Sequence, residues 1–183
     1  MPEYRRILYQ GGTYFFTLVT YKRQKIFLSH DVSFIFYESL EHIQRLHPFT
    51  NVAYCIMPDH IHLIWRLPED DANYSMRISQ IKRRFARAFV KKYGIPVVRN
   101  MQHEKRRELT IWQRRFWEHL IRDEADLNQH IDYIHYNPVK HGMVDRVCDW
   151  VDSSFHRYVQ EGYYDANWSE GCKTNEKDNH YGE

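Results

Sequence analysis

Val52-Ala53-Tyr54-Cys55-Ile56-Met57-Pro58-Asp59-His60-Ile61-His62-Leu63-Ile64-Trp65 is the stretch that decides the fold. It divides at Pro58-Asp59 into two runs rich in β-branched and aromatic residues, which predicts a hairpin with strands over Asn51 to Met57 and His60 to Leu67. Side chains two apart on a strand share a face. His60 and His62 therefore project together, and Ile61 and Leu63 point the other way, into a core. Two adjacent imidazoles are a usual beginning of a metal site. They are also compatible with a strand that shows polar residues to solvent. A third donor is missing locally: position 64 is Ile, and Asp59 belongs to the turn, where its side chain is expected to point away from the pair.

Outward from this hairpin the chain alternates. Thr13 to Tyr21, after Gly11-Gly12, reads as a first strand. Asp31 to Leu46 carries Phe34, Ile35, Tyr37, Leu40, Ile43 and Leu46 at helical spacing and stops before Pro48. Tyr74 to Tyr93 is a second amphipathic helix, with Ile78, Ile81, Phe85 and Ala88 inside and basic residues outside, ended by Gly94. Residues 95–110 are polar and charged and read as a loop. Ile111 to Ile121 holds a short fourth strand. Glu124 to Asn137 is a third helix, with Asp123 as its cap, Asp126 at the capping-box position and Pro138 as its boundary. Trp150 to Tyr164 is irregular, aromatic and expected to pack back on the body. The order β-α-β-β-α-β predicts an α+β, ferredoxin-like antiparallel sheet with two helices on one face. The third helix is left to cover the histidine face.

On that helix His130, Tyr133 and Asn137 form a stripe at intervals of three and four beside Leu127, Ile131 and Ile134. Tyr133 can serve as a nucleophile and the Asn137 amide oxygen as a third ligand beside His60 and His62. The spacing alone equally allows an edge-packed tyrosine and a capping asparagine.

Composition narrows the class. With 183 residues, 43% hydrophobic and 16% aromatic, the chain has enough apolar material for one folded domain and no run long enough to span a membrane, so a cytoplasmic location is expected. Cys55, Cys148 and Cys172 have no metal or disulfide spacing and are expected to stay reduced. The net charge of +2 conceals a division: residues 163–183 carry −3, leaving +5 on the remainder. The division predicts one body over 1–165, catalytic only by the family resemblance described below, and an acidic peripheral tail over 166–183. Basic residues cluster at Arg5-Arg6, Lys82-Arg83-Arg84 with Arg87, Lys91-Lys92, Lys105-Arg106-Arg107 and Arg114-Arg115, the pattern expected of a surface for phosphate backbones. Any one cluster is also explained as a solvated helix face.

Several stretches, in order, resemble one family. Tyr133-Ile134-His135-Tyr136-Asn137-Pro138-Val139-Lys140-His141-Gly142 is similar to the signature of the REP-associated tyrosine transposases, bacterial relatives of the single-tyrosine HUH transposases of insertion sequences. Glu3-Tyr4-Arg5-Arg6 with Gly11-Gly12-Thr13, Met57 to His62, Trp112-Gln113 with Arg115-Phe116-Trp117-Glu118-His119, and Trp150 with Ser154-Phe155-His156 resemble it too. The resemblance implies a metal-dependent single-strand endonuclease and strand transferase. His60, His62 and Asn137 would hold Mg²⁺ or Mn²⁺, and Tyr133 would form a 5′-phosphotyrosyl link. Insertion-sequence relatives often have Gln where this chain has Asn137. It further implies single-stranded DNA and REP hairpins as partners. Arg5 and Arg6 would meet the hairpin foot, Lys82, Arg83, Arg87, Arg114 and Arg115 would be candidates for the backbone, and a monomer is favoured over a dimer. The alternatives are a hairpin-binding module that cuts nothing and a small metal-dependent phosphoesterase.

Overall fold

A computed structural model of the chain describes residues 7–94 and 111–168. β1 (Thr13–Val19), β2 (Thr50–Ile56), β3 (His60–Arg66) and β4 (Trp117–Leu120) form one antiparallel sheet in the order β2-β3-β1-β4. The long helices are α1 (His30–Leu46), α2 (Tyr74–Tyr93) and α3 (Glu124–Lys140), and a short α4 (Phe155–Gln160) follows. Strand order and connectivity are those of the expected ferredoxin-like arrangement. The two central strands pair with Thr17 opposite His62, Leu18 opposite Ile61 and Val19 opposite His60.

That register sorts the side chains into two layers. Tyr14, Phe16, Leu18, Ile61, Leu63 and Trp65 form one core with α1 and α2, through Val32, Ile35, Phe36, Leu40, Ile43, Ile78, Ile81, Phe85 and Phe89. Phe15, Ala53, Cys55 and Ile64 face the other way and pack on Ile131, Tyr133 and Ile134 of α3. A one-residue slip would exchange the layers, so the buried apolar sets on both faces fix the register. The sheet is thus covered on both sides, and His60 and His62 lie between β3 and α3, 2% and 0% exposed.

Four local expectations are corrected. Phe34 and Leu46 are 54% and 59% exposed; the buried stripe of α1 runs through Val32, Ile35, Phe36, Leu40 and Ile43 instead. Arg77 of α2 is wholly inside, donating to the carbonyls of His47, Asn73 and Pro48 and to Asp71 Oδ2 at 2.6–3.1 Å. Pro138 does not bound α3: it lies inside the helix, which continues to Lys140. A proline there forfeits one hydrogen bond to the carbonyl of Ile134, which the last turn of a packed helix tolerates. Asp126 does not close a reciprocal capping box. Asp123 accepts from the Asp126 N–H at 2.8 Å, and the Asp126 carboxylate turns to His119, Arg122 and His130.

The segment after α3 packs back as expected. Ser154 and Trp150 bond to β2 through Tyr54 and Ile56, and Asp152 accepts from Ser33 of α1. The aromatic cluster continues past Tyr164 to Trp168, whose ring is 4.5 Å from that of Tyr164. No described helix is long and apolar enough to cross a membrane.

Candidate active site between strand β3 and helix α3

His60 and His62 reach the site from consecutive same-face positions of β3, with ring centroids 4.8 Å apart. Each has one ring nitrogen fixed. His62 Nδ1 is 3.0 Å from Thr17 Oγ1, its cross-strand partner, and His60 Nδ1 is 2.6 Å from Asp59 Oδ1. Asp59 therefore turns toward the pair, which corrects the expectation that it points away. The backbone of the turn explains this: Thr20 N–H donates to Asp59 O at 2.9 Å, holding residue 59 against the end of β1. A carboxylate on the far nitrogen of a histidine is the usual support for a metal ligand, since it fixes tautomer and ring orientation. Burial pushes the Asp59 carboxyl up, but the hydrogen bond and charge of His60, with Arg23 at 3.5 Å, outweigh it and hold it below its ordinary value.

These contacts leave Nε2 as the nitrogen each imidazole can present. His60 Nε2 is buried with no hydrogen-bond partner among the described residues. Such an atom costs free energy unless something binds it. Burial, then the charges of His60, Lys140 and His141, keep His62 well below its ordinary pKa, hence a neutral imidazole at neutral pH, the form that ligates. Asn137 is wholly buried one turn after Tyr133. Two imidazoles with an amide oxygen could hold a divalent ion; the donor set suits Mn²⁺ better than Mg²⁺, which prefers oxygen alone.

Tyr133 is 3% exposed, with its ring 5.3 Å from that of His62. Phe15 fills the space beneath, 5.3 Å from His62, 6.1 Å from Tyr133 and 4.9 Å from His130. The structure thus brings His60, His62 and Tyr133 together and buries Asn137 on the same helix. Two residues beyond Pro138 also belong here, and sequence reasoning missed them by ending the helix early. Lys140 Nζ stands 4.9 Å over the Tyr133 ring, and His141 is 5.6 Å from His60. The available signal was the i, i+7 spacing of Tyr133 and Lys140 on one helix face.

The basic residues separate. Arg83 and Arg87, with Arg84 and Lys91, line an open groove of about 500 Å³ between α1 and α2, on the layer opposite the histidines. Lys82 is engaged with the body: its amine donates to Gln113 O at 2.6 Å and lies over Trp112. Arg114 and Arg115 are exposed beside Gln113, whose N–H donates to Val19 O. Val19 pairs with His60, so these two arginines sit at the histidine end of the sheet. Arg5, Arg6, the 105–107 cluster and residues 169–183 of the tail lie outside the described residues.

A further cluster, His119, Asp126 and His130, joins β4 to the start of α3, its ligand-type atoms within 4.8 Å of one another. The Asp126 carboxylate accepts from His119 Nε2 at 2.9 Å and from the Arg122 backbone and guanidinium at 3.0 and 3.1 Å. His130 Nδ1 donates to Asp126 O at 2.7 Å. With each of these groups already hydrogen-bonded, the cluster is a fastening for the tyrosine helix.

The family model described as "Transposase IS200 like" matches residues 9–137. The chain is 40% identical over 173 residues to the REP-associated tyrosine transposase of Escherichia coli (strain K12), covering 92% of each. It is 48% identical over 171 residues to a Haemophilus influenzae relative carrying the same family description, covering 92% of this chain and 93% of the other. Among solved structures, a REP-associated tyrosine transposase bound to a REP hairpin superposes with a TM-score of 0.76 at 38% identity, covering 92% of each chain. The sheet order, the paired histidines beneath a tyrosine helix and these near full-length similarities agree: the chain belongs to the REP-associated tyrosine transposases of the IS200-like family.

Proposed function

We propose that the protein cleaves and rejoins single-stranded DNA beside REP-like hairpins, through a 5′-phosphotyrosyl link to Tyr133. The observation that carries this reading is the packing of the Tyr133 ring on His62, next to a His60 whose Nε2 is buried without a hydrogen-bond partner among the described residues. A divalent ion held by His60, His62 and Asn137 would supply positive charge at a non-bridging oxygen of the scissile phosphate. Asp59 and Thr17 orient the two imidazoles, and Phe15 holds His62 and Tyr133 in register. The Tyr133 oxygen bonds to phosphorus as the bond from phosphorus to the 3′ oxygen breaks. The phenolic proton passes to solvent, and the 3′ oxygen takes one up. The phosphotyrosyl link keeps the diester's free energy, so another 3′-hydroxyl can reverse the step and join strands.

REP hairpins are the substrate class because the similar E. coli protein and the hairpin-bound structure carry that name. Arg114 and Arg115, at the histidine end, suit contacts to the strand being cut. Arg83 and Arg87 face the opposite layer and would meet a different part of the DNA. A monomer is the favoured state, since one chain supplies both histidines and the tyrosine.

The test is a denaturing gel of full-length protein incubated with Mn²⁺ and a labelled hairpin bearing single-stranded arms. Tyr133→Phe removes one oxygen; it should abolish the covalent adduct and preserve folding and DNA binding. Tyr136→Phe should leave the adduct. An adduct persisting in Tyr133→Phe, or none from the wild type, overturns the assignment.

A further inference from the structure

Lys140 is the last residue of α3, seven positions after Tyr133 and therefore on nearly the same helical meridian. A cation at a helix C-terminus is favourable in its own right, through the helix dipole and the last carbonyls. That account leaves unexplained where the amine goes. It stands 4.9 Å over the Tyr133 ring, at the mouth of the histidine site. Burial there lowers its pKa from the ordinary lysine value. Cation–π attraction suits the amine to that ring, so ammonium and phenol share one edge of the site. The arrangement becomes useful when an anion enters beside the phenol.

Resting on the reading above, we propose that Lys140 is a further catalytic residue: its ammonium contacts a non-bridging oxygen of the phosphate that Tyr133 attacks. The bond from the Tyr133 oxygen to phosphorus forms and the bond from phosphorus to the 3′ oxygen breaks. Lys140 stays protonated throughout and contributes charge, not a proton. Its location depends on α3 running through Pro138: a helix ending at Asn137 would release residue 140 from the Tyr133 face.

The experiment measures single-turnover adduct formation by full-length protein with Mn²⁺ and a hairpin with labelled single-stranded arms. Lys140→Gln should slow the reaction about 10- to 100-fold at saturating DNA, with DNA affinity changed by less than about threefold, the size expected for losing one charged contact to the transition state. Lys140→Arg, which keeps the charge, should recover most of the rate. A methylphosphonate at the scissile position separates charge stabilisation from packing. In the stereoisomer that replaces the oxygen Lys140 touches, wild type and Lys140→Gln should react at equal rates. If Lys140→Gln is as slow relative to wild type on both stereoisomers as on the natural diester, the amine only positions the phenol and the proposal falls. An unchanged rate in Lys140→Gln also overturns it, and leaves the tyrosine reading intact. No adduct from the wild type overturns that reading and this inference with it.

Discussion

Asp59→Ala isolates the support of the histidine pair. The Asp59 carboxylate lies 2.6 Å from His60 Nδ1, and the His60 side chain is only 3% exposed. The backbone carbonyl of residue 59 accepts from Thr20 N–H whichever side chain is present, so the turn should survive. Hydrogen bonds to a charged group are worth about 1.5–3 kcal/mol. Loss of a carboxylate behind a ligating histidine typically costs about 10- to 100-fold in metal affinity, or about 1.4–2.7 kcal/mol. The two scales agree, and the expected loss for Asp59→Ala is in that range. Asp59→Asn keeps an acceptor for the His60 N–H and loses only the charge, so its loss should be smaller, within about tenfold. Calorimetric titration with Mn²⁺ measures both. The Mn²⁺ concentration giving half-maximal adduct should rise by the same ratio. His60→Ala with His62→Ala supplies the floor. A folded Asp59→Ala protein that binds Mn²⁺ like the wild type would show that His60 needs no carboxylate, and the geometric reading of the site would be wrong at that residue.

Two further outcomes concern the frame that holds the site. Burial pushes the Asp126 carboxyl up, but the hydrogen bonds from His119 and Arg122 prevail and bring it from 3.8 down to about 2. A depressed carboxylate stabilises above its unfolded pKa, and that contribution is lost as pH falls through the folded value. It should thus be full above about pH 4 and gone near pH 2, a change of about 2 kcal/mol. Asp126→Asn should flatten the acid side of the stability profile by that amount in denaturant titrations, and an unchanged slope between about pH 2 and 5 refutes it. Arg77→Ala leaves three carbonyls and Asp71 without their donor in a buried site; urea unfolding should register a loss of about 3–5 kcal/mol. A loss below about 1 kcal/mol would mean that water replaces the guanidinium.

The parts of the fold that rest on period were legible in the sequence. Alternation along 60–65 assigns Ile61 and Leu63 to one face and the histidines to the other, and the structure keeps that division because each face has its own buried layer. Tyr133 was legible for the same reason, as a neighbour of the apolar stripe of α3. Features set by tertiary contact were not. Nothing local marks Arg77 as buried; its acceptors come from the α1–β2 connection, Asn73 and Asp71. Phe34 has helical spacing from Tyr37 and yet faces solvent, because α1 presents the Val32–Phe36–Leu40 side to the sheet. The basic clusters were visible as charge and invisible as direction. Only the layering shows that Arg83 and Arg87 lie on the layer opposite the histidines, whereas Arg114 and Arg115 sit at the histidine end of the sheet.

Pro138 is the point where the local rule and the site diverge. The rule is sound: proline removes a donor, and the residue before it resists helical torsions. Here that residue is Asn137, which the chain buries completely. Two contacts hold the turn in helical form beyond the proline: His141 N–H donates to Asn137 O at 3.0 Å, and Met143 N–H donates to Pro138 O at 2.9 Å. The continuation sets Lys140 over Tyr133 and His141 beside His60. A helix stopped at 137 would still present the tyrosine and the amide, but it would no longer bring Lys140 and His141 to the site. Pro138, Lys140 and His141 therefore form one structural unit with the helix of Tyr133, and ending that helix at Asn137 would remove the contacts that Lys140 makes with Tyr133 and His141 makes with His60.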